Sequence, residues 1–81
     1  MKLFDGFERK AYFVKNVNLP VSINKRLEAL GMVSGTKLNI LNKRKTAVVI
    51  IIRGTRFALG KTIAQNIEIA ENGGVPGKNG G

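Results

Sequence analysis

The side chains that could do chemistry in this chain are few and scattered. Acid–base and nucleophilic catalysis draw on histidine, cysteine or converging carboxylates, and the sequence contains no histidine and no cysteine. Its carboxylates are Asp5, Glu8, Glu28, Glu68 and Glu71, of which only the first two are close in sequence. Ser22 and Ser34 have no candidate base beside them. Soft and borderline metals favour imidazole and thiolate, and a hard cation needs several oxygens converging on it, which no run here supplies. "GKT" at residues 60–62 lacks the earlier glycine of a phosphate-cradling loop. The chain therefore reads as a protein that is not an enzyme, with no metal, no cofactor and no small-molecule substrate.

What remains is binding. Fourteen Lys and Arg against five Asp and Glu give a formal net charge of +9 over 81 residues, which points to an anionic partner or to a solvated basic surface. Lys43, Arg44 and Lys45 form one compact cluster, and Arg53 and Arg56 flank a second turn, so the charges suggest a basic rim on one end of the domain. Turn lysines also keep a sheet edge soluble without binding anything. Aromatics are sparse: of Phe4, Phe7, Tyr12, Phe13 and Phe57, only Tyr12, Phe13 and Phe57 fall where they could stack on bases, and Phe13 and Phe57 read as core. Leu3, Phe4 and Phe7 either staple the N-terminal segment to the domain or form an apolar patch for a partner.

The elements that must carry these residues are short. Residues 10–17, "KAYFVKNV", are aromatic and β-branched and read as a first strand, ended by Pro20. Residues 22–31 follow, where Ser22 can cap a helix, Ile23, Leu27 and Leu30 make an apolar stripe, and Gly31 offers a left-handed stop. Gly35 suits a turn that wants positive φ. Residues 37–43 alternate as a second strand, and residues 46–53 form a third whose continuous apolar run predicts burial on both faces for part of its length. Gly54-Thr55 is expected as a two-residue hairpin turn leading to a fourth strand over 55–59. One helical turn with Ile63 and Ala64 inward precedes a fifth strand over 67–70.

Five short strands are most simply closed on themselves, which removes exposed edges. The expected fold is mainly β, a small five-stranded SH3-like barrel with one short α-helix after the first strand and a helical turn before the last; an OB-type barrel is the alternative. Residues 1–9 form an N-terminal segment, 10–70 the barrel domain, and 71–81, rich in glycine and asparagine, a disordered tail. With no long apolar stretch and no secretion signal, the chain is expected in the cytoplasm.

The order of motifs adds a resemblance. "KRLEALGMVSGTKLNIL" followed by "IIIRGTRFALGKTIAQNIEI" resembles the FeoA family of small cytoplasmic accessory proteins of bacterial ferrous iron transport. The specific parts are Arg26-Leu27, Leu30-Gly31, Gly35, Arg53-Gly54, Ala58-Leu59, Ala64 and Ile67, within about residues 10–70. Asn18 stands where the family often has glycine, and the loop at 43–46 is short and basic where relatives often carry a longer one. The resemblance implies a protein–protein interaction module whose partner is a FeoB-like membrane transporter with a GTP-binding domain. Its docking surface would be the helix with its following turn, giving Arg26, Leu30, Met32, Arg53 and Arg56 as partner-binding residues. Arg26, Arg53 or Arg56 would then be candidates to assist GTP hydrolysis. The alternative is a nucleic-acid-binding barrel using its basic surface, although no helix-turn-helix accompanies it here.

Overall fold

The structure, a computed structural model, describes residues 1–71. The disorder expected of the tail falls on residues 72–81, outside the described residues. A 3-10 turn at Leu3–Asp5 leads into β1 (Lys10–Val17), α1 (Val21–Ala29), β2 (Lys37–Lys43), β3 (Ala47–Ile52), β4 (Thr55–Gly60), α2 (Lys61–Ala64) and β5 (Ile67–Ala70). All strand pairs are antiparallel, in the order β4-β3-β2-β1-β5.

This is the SH3-like arrangement expected from the sequence, bent by two bulges, one in β1 between Val14 and Asn16 and one in β2 between Ile40 and Asn42. Each bulge adds a residue to one strand and increases its local twist. The sheet stops short of closure, since β4 and β5 share no ladder. Lys2 instead bridges Glu68 on β5, and the Ile69 amide donates to the Met1 carbonyl at 2.7 Å. The N-terminal segment thus covers the outer edge of β5.

Alternation decides what the sheet buries. Leu38 and Ile40 of β2 and Val48, Ile50 and Ile52 of β3 point inward and are buried. The outward residues of β3, Ala47, Val49 and Ile51, are half-buried rather than enclosed, so the apolar run at 47–52 reflects a partly covered outer face, not burial on both sides. Tyr12, Val14, Ile67 and Ile69 complete the sheet's share of the core, and Leu3, Leu27, Met32 and Ala64 close it from above. Fully burying a side chain of Leu or Ile size stabilises a fold by about 1.5–3 kcal/mol, so this one cluster supplies most of the driving force.

Two local expectations are corrected by the backbone. Ser22 does not cap α1: Pro20 takes the N-cap position with extended dihedrals, no side chain caps the turn, and the Asn24 amide donates to the Pro20 carbonyl at 2.9 Å. Proline fits there because it has no N–H to satisfy. The β3–β4 turn is Arg53-Gly54 rather than Gly54-Thr55, because Ile52 pairs with Thr55. Both central residues have positive φ, 52° and 78°, the geometry whose twist matches a two-residue hairpin.

Candidate functional site

β3 separates the two groups of cations that the sequence reading places on one rim. Its six residues span about 20 Å at the usual strand rise. The β2–β3 turn, with Arg44 and Lys45, lies at one end, and the β3–β4 turn, with Arg53, lies at the other. The expected single basic rim is therefore two ends of one sheet.

At the first end, here called the basic end, the cations rest on an aromatic floor. Phe4 packs against the core with its ring half-buried. The Lys43 Nζ lies 5.5 Å and the Lys61 Nζ 5.4 Å from its centroid, distances at which the ring's negative face attracts an ammonium. Lys43 Nζ also donates to the Gly6 carbonyl at 3.1 Å, and its backbone amide donates to Glu8 Oε2 at 2.6 Å. The Lys61 amide, donating to the Thr46 carbonyl at 2.8 Å, ties α2 to the same turn. Lys61 is a member of this cluster that sequence spacing did not reveal, since only the β3–β4 ladder, which pairs Ala47 with Gly60, brings it beside Lys43.

At the second end, the helix end, α1 finishes against the β3–β4 turn. Gly31 has φ 104° and ends the helix, its amide donating to the Glu28 carbonyl at 2.9 Å. The Arg53 side chain covers it so closely that a Cβ on Gly31 would stand 2.8 Å from the Arg53 Cδ. Leu30 beside it is 40% exposed, and Arg26, one turn earlier on α1, is exposed as well. The loop from Gly31 to β2 is fixed by the Gly35 amide donating to the Val14 carbonyl, the Val14 amide donating to the Thr36 carbonyl, and the Ser34 hydroxyl donating to the Lys15 carbonyl. A shallow groove of about 160 Å³ runs beside this loop between β1 and α1, lined by Asn16, Asn24, Glu28 and Ser34 among others.

Of the five residues expected to contact a partner, the helix end places Arg53 over Gly31, next in sequence to Leu30, with Arg26 one turn earlier on the helix. Arg56 is exposed on β4 opposite Ile51, near the turn. Met32 is the exception. It is fully buried, its amide held by the Leu27 carbonyl at 2.9 Å, so its side chain supports the loop from within the core and offers no contact surface. The N-terminal apolar residues divide: Leu3 is fully buried, Phe4 packs on the core and Phe7 is 65% exposed. Tyr12, weighed as a stacking platform, is fully buried, and its hydroxyl accepts the Phe7 amide at 2.9 Å.

Among the described residues, no three histidine, cysteine or carboxylate side chains come together, and no helix is long and apolar enough to cross a membrane. One carboxyl is displaced from its ordinary range. The N-terminal ammonium donates to Glu68 Oε2 at 2.6 Å and holds that carboxyl below the usual glutamate value, with Lys2 and Lys15 adding to the effect.

Comparison with known proteins adds to this geometry. The FeoA domain model matches residues 1–71. The crystal structure of an iron uptake regulatory protein (FeoA) superposes with a TM-score of 0.79 at 21% identity, covering 86% of this chain and 95% of that one. The solution structure of the FeoA protein from Chlorobium tepidum gives 0.83 at 24% identity, over 100% of this chain and 79% of that one. A manganese-dependent transcriptional repressor gives 0.80 at 16% identity, over 89% of this chain and 41% of that one. At these identities the likeness is one of fold. No curated protein sequence matches the chain.

Proposed function

Because the chain belongs to the FeoA family, whose model covers residues 1–71, we propose that it is a non-enzymatic interaction module that assists or regulates ferrous iron transport by binding a FeoB-type transporter at its cytoplasmic face. The family match carries this reading. The helix end suits the task physically: Leu30 is an exposed apolar anchor, Arg26 lies one turn earlier on the same helix, Arg53 covers the adjoining Gly31, and Arg56 is exposed on β4 near that turn. Such an anchor within a charged rim is how interfaces concentrate affinity and select partners. Met32 contributes by keeping the loop in shape.

The test is binding of the purified chain to the detergent-solubilised transporter from the same genome. Leu30→Ala should weaken binding roughly tenfold, as truncation of an anchor does. Arg53→Glu should weaken it further, and Lys45→Glu at the basic end should leave it unchanged. If the unmodified chain does not bind the transporter, or is recovered from cells chiefly with nucleic acid and released steeply by salt, the reading fails. Unchanged GTP hydrolysis by the transporter with Arg26→Ala, Arg53→Ala and Arg56→Ala would remove any direct part for these arginines in that reaction while leaving docking intact.

A further inference from the structure

The basic end displays a large aromatic ring that the core does not use. Phe7 is 65% exposed, while Leu3 and Phe4 from the same segment pack inward. The segment is pinned before the ring, where the Phe7 amide donates to the Tyr12 hydroxyl at 2.9 Å and the Gly6 carbonyl accepts from Lys43 Nζ at 3.1 Å, and again after it, where the Arg9 amide donates to the Ile40 carbonyl at 2.6 Å. Phe7 therefore projects from an anchored backbone. Lys10 Nζ lies 6.0 Å from its centroid, and Arg44 and Lys45 are exposed in the adjoining turn.

The acids at this end are Asp5, Glu8 and Glu71, against the cations Arg9, Lys10, Lys43, Arg44, Lys45 and Lys61. Glu71 pairs with Lys10 at 3.1 Å, and Glu8 takes the Lys43 backbone amide rather than an ammonium. Among the described residues, Lys43, Arg44, Lys45 and Lys61 enter no ion pair.

We propose that this end docks on the surface of an anionic lipid bilayer, with Phe7 entering the boundary between headgroups and acyl chains and Lys43, Arg44, Lys45 and Lys61 facing the acidic headgroups. An apolar ring flanked by basic side chains is the composition that holds a peripheral protein in the interfacial plane. A single-stranded nucleic acid would want several stacking rings, whereas Tyr12 is buried and Phe13 and Phe57 are half-buried. Lipid binding at the basic end is independent of which protein the helix end meets.

The experiment is flotation of the full chain with phosphatidylcholine vesicles made with and without phosphatidylglycerol. The chain should float only with the anionic vesicles and release as salt rises. Lys45→Ala should weaken this binding about fivefold, the usual contribution of one cation near such a surface, and Phe7→Ala should weaken it at low salt, where the charges still act. Arg56→Ala, at the other end of β3, should change little. No flotation with anionic vesicles would overturn the proposal, as would equal losses from Lys45→Ala and Arg56→Ala, an unaffected Phe7→Ala variant, or tighter binding to single-stranded DNA than to anionic vesicles at the same salt. Thermal unfolding of each variant confirms that it is folded, which the exposure of Phe7 and Lys45 makes straightforward.

Discussion

The two ends of the sheet each depend on a glycine, for different physical reasons. At the basic end, Gly6 has ordinary extended backbone, and a Cβ there would stand 2.5 Å from Ile40 Cδ1, 3.1 Å from Tyr12 Cε2 and 3.3 Å from Ile69 Cδ1. Its requirement is space. At the helix end, Gly31 has φ 104°, and the nearest atoms to an added Cβ belong to the flexible Arg53 side chain. Its requirement is backbone conformation. One end is built by close packing of a segment onto the core, the other by chain reversal, and the two should fail differently.

The largest effect should come from removing the basic end's anchor. Leu3 is fully buried, so Leu3→Ala should cost about 2–5 kcal/mol through lost burial and the cavity left behind, read as a shift in the urea midpoint. Next, Gly6→Ala should cost about 1–3 kcal/mol through overpacking. Because the nearest clash is with Ile40 Cδ1, the double variant Gly6→Ala/Ile40→Val should be less destabilised than the two single losses added together; strict additivity would show that the crowding has another source. At the helix end, Gly31→Ala should cost about 1–2 kcal/mol from left-handed strain. Here Arg53→Ala should give little rescue, because shortening the covering side chain leaves the backbone strain in place. A strong rescue would erase the contrast between the two glycines.

The smallest effect concerns the edge of β5. Glu68 has its carboxyl lowered by the N-terminal ammonium, so its contribution favours the folded state above the ordinary glutamate range and is lost as pH falls through the lowered folded value. Glu68→Gln should therefore be slightly less stable than the parent near neutrality and equal to it in strong acid. Unfolding midpoints across that range would check the sign. A difference that persists in acid would mean that the charge is not what matters there.

Much of the architecture was legible because it is local. The strands at 10–17, 37–43 and 67–70 coincide with runs whose alternation or β-branching sets their faces, and Gly31 and Gly35 have the positive φ their positions require. The turn at Arg53-Gly54 was misplaced by one residue because register is set by pairing of Ile52 with Thr55 across the hairpin, which glycine alone does not specify. The open gap between β4 and β5 was hidden for a similar reason, since it depends on where α2 and the N-terminal segment lie.

The candidate surface was read less well than the fold. Arg53 lies over Gly31, next to Leu30, because a helix end and a hairpin turn, distant in sequence, pack together. Met32 follows the helix stop, a position that suggests surface, yet the Leu27 carbonyl draws its amide back under the helix. The separation of the two basic groups had a usable signal: a strand between two tight turns places those turns at its opposite ends.

β3 is hydrogen-bonded on both sides, by β2 and by β4, and so behaves as a stiff spacer. A body gripping one tip meets the other at a set distance and orientation, without a flexible tether to search. Were both tips occupied together, neither grip would need to be tight, because each would hold the other's target within reach and the affinities would compound.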